Sequence, residues 1–274
     1  MNLITVLKDR CKKDGICAAE CPTRIIEMDP LGGYPRSTPD AESYCLSCGH
    51  CVAVCPQEAI SLSWLSPHDC TPIREGLRIS TQAAEQFLRA RRSIRSFKKK
   101  PLSRDTLNEL IRVACFAPSA KNKQPWHWLV LEDREKVRQA AALVIEWMKK
   151  TIAANPELAE TMGFIRVTAA WEKGDERICR DAPHVIIVHG DASWPFGCED
   201  CTLALSYLDL YAQSQGLGTC WAGYLYTAVN YYKPLFKWLE IPPEHRAYGA
   251  MMVGRPLYSY KRLPLRATPV VKWF

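Results

Sequence analysis

Cys45-Leu46-Ser47-Cys48-Gly49-His50-Cys51-Val52-Ala53-Val54-Cys55-Pro56 is the stretch on which the reading of this chain turns. Its thiols follow the spacing C-x2-C-x2-C-x3-C, with a proline next. Three thiolates three residues apart can wrap a loop around one corner of a metal cluster. The fourth is held extended, because a residue before proline is biased away from the helical region. Thirty-four residues upstream the pattern returns as Cys11, Cys17 and Cys21, and Cys21 again precedes a proline, Pro22. The stretches after each Cys-Pro match as well, Arg24-Ile25-Ile26-Glu27-Met28 against Glu58-Ala59-Ile60-Ser61-Leu62. The position equivalent to Cys48 is Asp14, so one ligand position has changed from sulfur to oxygen. Zinc is the competing reading, but its four ligands usually come as two separated pairs, which a run of four plus a repeat of three fits poorly.

The remaining composition is ordinary. Of 274 residues, 47% are hydrophobic and 24% charged, which excludes a disordered tail, a collagen-like repeat and a coiled coil. There are 13 cysteines, an odd number that rules out complete internal disulfide pairing, and seven of them lie within the first 55 residues. No run approaches the ~18 consecutive apolar residues of a membrane span. The first 15 residues lack the apolar core and small-residue cleavage site of a secretory signal. The expected setting is therefore a reducing cytoplasm, with no membrane partner, where clustered thiols serve as metal ligands.

Residues 1–64 resemble a two-cluster bacterial ferredoxin, a βαβ-repeat module with pseudo-twofold symmetry. The resemblance implies that Cys21, Cys45, Cys48 and Cys51 hold one [4Fe-4S] cluster, and that Cys11, Asp14, Cys17 and Cys55 hold the other. A carboxylate is a harder ligand than a thiolate and favours iron less strongly. The second cluster is thus expected as [4Fe-4S] or, with one labile iron, as [3Fe-4S]. A plain turn role for Asp14 before Gly15 is the alternative.

Residues 65–79 read as a linker, with Pro67 and Pro72 and no periodicity, and residues 80–274 as a second domain. Helices are expected at 81–91, at 103–115 behind an Ser103 cap, at 134–150 and at 199–215, ending at Gly216. The third would bury Val137, Ala140, Ala141, Val144, Ile145 and Met148 on one face. Strands are expected at 128–131, 185–188, 220–223 and 248–253. The fold class is α+β.

Arg89 to Lys100 carries seven positive charges in twelve residues. A solvated helix end, a nucleic-acid patch and a phosphate site built from guanidinium forks and a serine hydroxyl all fit that composition. The following segment, Ala117-Pro118-Ser119-Ala120-Lys121-Asn122-Lys123-Gln124-Pro125-Trp126, narrows the choice. A basic R-R-S-x-R, a helix, then A-P-S-x-x-N-x-Q-P-W before a strand resembles the nitroreductase family of FMN enzymes. The resemblance extends through Ala182-Pro183-His184, Gly216 to Gly223, Gly254-x-Pro256 and Arg262-x-Pro264.

It implies a three-layer α/β/α domain, with Arg91, Arg92, Ser93 and Arg95 gripping the FMN phosphate, helped by Arg262 and Lys261. Pro118, Ser119, Asn122 and Gln124 would line the isoalloxazine and ribityl region, and backbone N–H groups at Ala222 and Gly223 would face the flavin. The family is a domain-entwined homodimer with FMN at the interface. No G-x-G-x-x-G follows a strand, so no Rossmann site is visible.

The expected activity is reduction of an electron-poor small molecule, such as a nitroaromatic or quinone, by FMN loaded through the clusters from an external low-potential donor. The alternative is a flavoprotein that passes electrons to a protein partner. No nucleic-acid role and no acid–base residue is expected. Cys198 and Cys201, at i and i+3, read as core thiols, and His127 as a packed strand residue.

Overall fold

The 34-residue repeat of the sequence returns as a repeat of backbone conformation. In the computed structural model, which describes residues 3–274, the first compact unit runs to Ile79 and takes in Lys121–Lys123. It contains β1 (Ile4–Val6), α1 (Ile16–Ala19), β2 (Ile26–Met28), β3 (Pro35–Ser37), α2 (Ala41–Tyr44), α3 (His50–Ala53) and β4 (Ile60–Leu62). Left-handed residues recur at the repeat interval: Lys13 and Ser47, Gly15 and Gly49, and Arg24 and Glu58 all have φ between 50° and 73°. Gly15 and Gly49 cap α1 and α3, where the missing Cβ lets the chain turn without strain. β1 pairs antiparallel with β4, and β2 with β3. Ile4, Ile25, Ile26, Val52, Ile60 and Leu62 form its small core around Cys17, Cys21 and Cys51.

Residues 65–79 group with this unit. Leu62 N–H donates to Leu65 O at 2.8 Å, and Ser66 and Asp69 close a capping box through contacts of 2.7 and 2.8 Å.

The second unit spans Ser80–Ala120 and Gln124–Phe274. Its elements are α4 (Thr81–Ala90), α5 (Arg104–Ala114), β5 (His127–Leu131), α6 (Arg134–Ala154), α7 (Pro156–Thr161), α8 (Phe164–Glu172), β6 (His184–Asp191), α9 (Gly197–Ser214), β7 (Gly218–Trp221), α10 (Gly223–Tyr231), α11 (Lys233–Trp238) and β8 (His245–Gly254). The sheet has the order β5-β6-β8-β7 and every pairing is antiparallel.

Alternation along the central strands sorts their side chains onto two faces. Val185, Ile187, Ala250 and Met252 meet a core built with α6, α8, α10 and α11. Ile186, Val188, Met251 and Val253 meet α5 and α9. Helices thus cover both faces, giving three layers. The six residues expected on the buried face of α6 are all buried. α6 runs four residues further than its periodicity suggested, to Ala154.

The last strand but one is corrected from 220–223 to Gly218–Trp221. Its ladder to β8 begins at Gly218 opposite Gly254, and Gly223 already opens α10. After α9, Gly216 turns left-handed at φ 68°, and Leu217 N–H returns to Ala212 O at 2.9 Å. Among the described residues no helix is long and apolar enough to cross a membrane.

Candidate functional site

Two cavities of the first unit divide the expected ligand residues cleanly between them. One is walled by Cys21, Cys45, Cys48 and Cys51. The other is walled by Cys11, Asp14, Cys17 and Cys55, with Lys12 at its edge. Electrostatics reports the same partition. Burial first, and then the nearby Cys48, Cys21 and Cys45, together push the Cys51 thiol up to about 11 against the lowering effect of the Val52 N–H. Cys17 is likewise raised, by burial and by Cys55, Asp14 and Cys11.

A cation held within either set would favour the anionic, metal-binding forms of these groups. Backbone donors already face two of the sulfurs, Ser47 N–H to Cys45 Sγ at 3.4 Å and Ala59 N–H to Cys55 Sγ at 3.3 Å. A cubane has a separate iron for each thiolate, so the residues fit a cluster. Asp14 lines the second cavity, and its Oδ1 accepts the Ile16 N–H at 3.2 Å.

In the second unit, the basic run follows α4 and lies beside β7. Ser93 bridges Thr219 in parallel, and Ile94 N–H donates to Thr219 O at 2.8 Å. Gly218 permits this approach, since a Cβ there would stand 2.4 Å from Ile94 Cγ1. Asp209, buried on α9, accepts from Arg91 Nη1 at 3.4 Å on one oxygen and from the Thr219 hydroxyl on the other.

Arg92 Nη1 donates to the Arg91 carbonyl at 2.6 Å, while its Nε is buried with no partner among the described residues. A cavity of about 840 Å³ opens here, walled by Arg92, Lys98, Gly218, Thr219 and Tyr258. Its size suits a small-molecule site, and an orphaned guanidinium donor beside a lysine suits a phosphate. Cys220, on the other side of β7, is raised by burial, with Arg95, Arg180 and the Ser93 hydroxyl acting against that rise.

The other expected contacts lie on separate elements. Asp200, 2% exposed, holds the loop before β5 by accepting Ala120 N–H and Trp194 Nε1–H, each at 2.8 Å. Ser119 Oγ accepts Gln124 N–H at 2.9 Å, and Pro118 is exposed. Lys121, Asn122 and Gln124 are left-handed, with φ of 48–53°, a concentration of strain of the kind found at working sites. Asn122 belongs with the first unit, where its amide donates to Leu46 O at 3.2 Å and Ser47 O at 3.1 Å.

The expectation for Ala222 needs correcting: its N–H donates to Ala250 O at 2.8 Å, inside the sheet. Gly223, exposed in the first turn of α10, keeps an N–H without an intrahelical acceptor. Arg262 is exposed in the irregular segment after β8.

Three features were beyond sequence reasoning. Asp200 and Asp209 are buried carboxylates on an otherwise apolar helix, and that incongruity was the available signal. His127, His189 and His245 come from three adjacent strands, with ring centroids 4.7–5.6 Å apart. His189 Nδ1 lies 2.9 Å from His245 Nδ1, and burial followed by its two neighbours lowers its pKa to about 4.

Residues 88–255 match the model of the Nitroreductase family. The chain belongs to that family. Residues 9–60 match a 4Fe-4S dicluster domain, so the family fold is joined in one chain to an iron–sulfur module. Among curated relatives, an iodotyrosine deiodinase of Thermotoga neapolitana is 33% identical over 172 residues, covering 61% of this chain and 84% of the relative. A putative NADH dehydrogenase/NAD(P)H nitroreductase of Methanothermobacter thermautotrophicus is 23% identical over 201 residues, covering 72% of this chain and 90% of the relative. Among solved structures, an FMN-bound nitroreductase from Desulfitobacterium hafniense shares the fold, with a TM-score of 0.55 and 23% identity over 68% of this chain and 97% of its own. The chain is thus a nitroreductase-family oxidoreductase with a 4Fe-4S domain.

Proposed function

We propose that this protein passes single electrons from an external low-potential donor through two iron–sulfur clusters to an FMN, and there reduces an electron-poor aromatic such as a nitro compound or quinone. The observation that carries the reading is the pair of four-ligand cages in a chain whose other unit has the nitroreductase fold. FMN, when bound, supplies the step between one-electron and two-electron chemistry.

The chain's own residues have separate tasks. Cys21, Cys45, Cys48 and Cys51 would hold one [4Fe-4S] cluster; Cys11, Cys17 and Cys55, with Asp14 as the fourth group, would hold the other. Arg92, with its buried free donor, and Ser93, held to β7, would bind the flavin phosphate. Arg91 is already neutralised by Asp209, so it would act mainly by fixing this segment. Gly223 would offer its N–H toward the flavin ring. A second copy of the chain would complete the flavin site, with Arg262 in the exposed segment after β8.

A second substrate reading, reductive removal of halogen from a halogenated aromatic, is favoured by the 33% identical deiodinase relative. The test is anaerobic turnover of the reduced holoprotein with nitroaromatics, quinones, iodotyrosine and protein acceptors. Fast oxidation by proteins alone would replace the enzyme reading with an electron carrier. Zinc without acid-labile sulfide in the purified protein would end the cluster assignment.

A further inference from the structure

The two cluster loops share one backbone but present different surfaces. Lys8, Arg10, Lys12 and Lys13 surround Cys11, whereas the positions 34 residues on are Glu42, Tyr44, Leu46 and Ser47. All four cations are exposed. Lys13 Nζ lies 4.3 Å and Lys8 Nζ 5.4 Å from the centroid of the Tyr34 ring, so one ring organises both ammonium groups. Arg10 faces Glu58 at 3.9 Å, a distance too long for a hydrogen bond. Asp9 and Asp14 are the acids within the loop, which leaves four cations against two anions. Lys12 walls the same cavity as Cys11, Asp14, Cys17 and Cys55, so the basic run reaches the edge of that cage at Lys12. At the other loop the carbonyls of Leu46 and Ser47 are capped by Asn122 of the same unit.

We propose that Lys8, Arg10, Lys12 and Lys13 form the docking surface for an acidic one-electron carrier protein that loads the cluster caged by Cys11, Asp14, Cys17 and Cys55. The inference rests on the reading that this cage holds a cluster. A cluster takes electrons singly, and a protein donor has to bring its own centre close to the entry cluster. Cations around that entry steer an acidic donor into place and speed its encounter. In each encounter the carrier is oxidised by one electron and this chain is reduced by one. Two encounters supply the electron pair that a two-electron reduction consumes, with protons drawn from solvent.

The experiment is anaerobic calorimetry of full-length holoprotein with an acidic plant-type ferredoxin, after iron and acid-labile sulfide have been assayed in every variant. Lys8→Glu with Arg10→Glu should weaken binding about tenfold at low salt, and the difference should collapse near ~0.3 M salt, where screening is short-ranged. Glu42→Lys, at the position equivalent to Lys8, should leave the Kd unchanged. Carboxyl–amine crosslinks to the carrier should map to Lys8, Lys12 and Lys13. Equal affinities in all three proteins, no binding of the wild type at low salt, or crosslinks confined to other lysines would overturn the docking surface. Wild-type protein without iron and sulfide would instead defeat the cluster reading beneath it.

Discussion

At Asp14 the duplicated loop replaces a thiol with a carboxylate that also closes a turn onto Ile16. One oxygen is occupied by that N–H and the side chain is exposed, so an iron held there would exchange more readily than one held by thiolate. Asp14→Cys is expected to raise iron content from about seven toward about eight per chain, the difference between trinuclear and cubane clusters, and to abolish any [3Fe-4S] resonance. Metal analysis and electron paramagnetic resonance would check both. Arg92 gives a second prediction at this scale. Its orphaned Nε makes Arg92→Met a change that removes a phosphate donor without breaking an ion pair, and flavin retention after gel filtration should fall with iron unchanged.

His189 gives a third. Its folded pKa of about 4 lies below the ordinary value near 6.5, so its neutral form contributes stability that is fully present above about pH 6.5. That contribution drains away as pH falls toward 4. Urea unfolding should show this slope in the wild type, and His189→Asn should flatten it.

Among the elements, β7 shows best what local pattern can and cannot reveal. Its existence was legible from an apolar run after a glycine, but its register was two residues off. The ladder to β8 decides where the strand starts, and that is a long-range pairing. The α6 face was legible to the residue because a helix period is local. The helices between 156 and 172 went unread because they are short, although α8 buries Phe164, Val167 and Ala170 on one face.

The same divide runs through the site. The grouping of seven cysteines around two cavities was legible because their spacing is contained in one repeated loop. The flavin-binding expectations rest on the family resemblance and not on spacing, because Arg92, Ser119 and Gly223 sit on elements far apart in sequence, and Asp209 carries no local motif. β7 also yields a prediction. Gly218→Val would drive a side chain into Ile94, with its Cβ 2.4 Å from Cγ1, and overpacking of this kind costs about 1–3 kcal/mol. Because Ser93 and Arg92 ride on that contact, thermal stability and flavin retention should fall together.

Over the whole molecule the charge is divided. Residues 1–64 hold six Lys and Arg against eight Asp and Glu, while the net charge of the chain is +7, so the surplus belongs to the second unit. An anionic cofactor is sufficient reason for its densest run. After β8, Leu265, Val270, Trp273 and Phe274 are almost fully exposed, an apolar display of the kind that marks an interaction surface. Sedimentation is expected to give twice the chain mass. Deleting residues 263–274 should yield monomer that loses flavin and keeps iron.

The matched left-handed residues of the first unit carry a last consequence. Lys13 with Ser47, Gly15 with Gly49, and Arg24 with Glu58 mean that both loops follow one template, whatever side chains they carry. Such loops are exchangeable parts. Transplanting residues 42–47 into positions 8–13, and the reverse, would preserve the chain path while transposing the polarity of the module, so its entry could be moved to the opposite end without redesigning the fold.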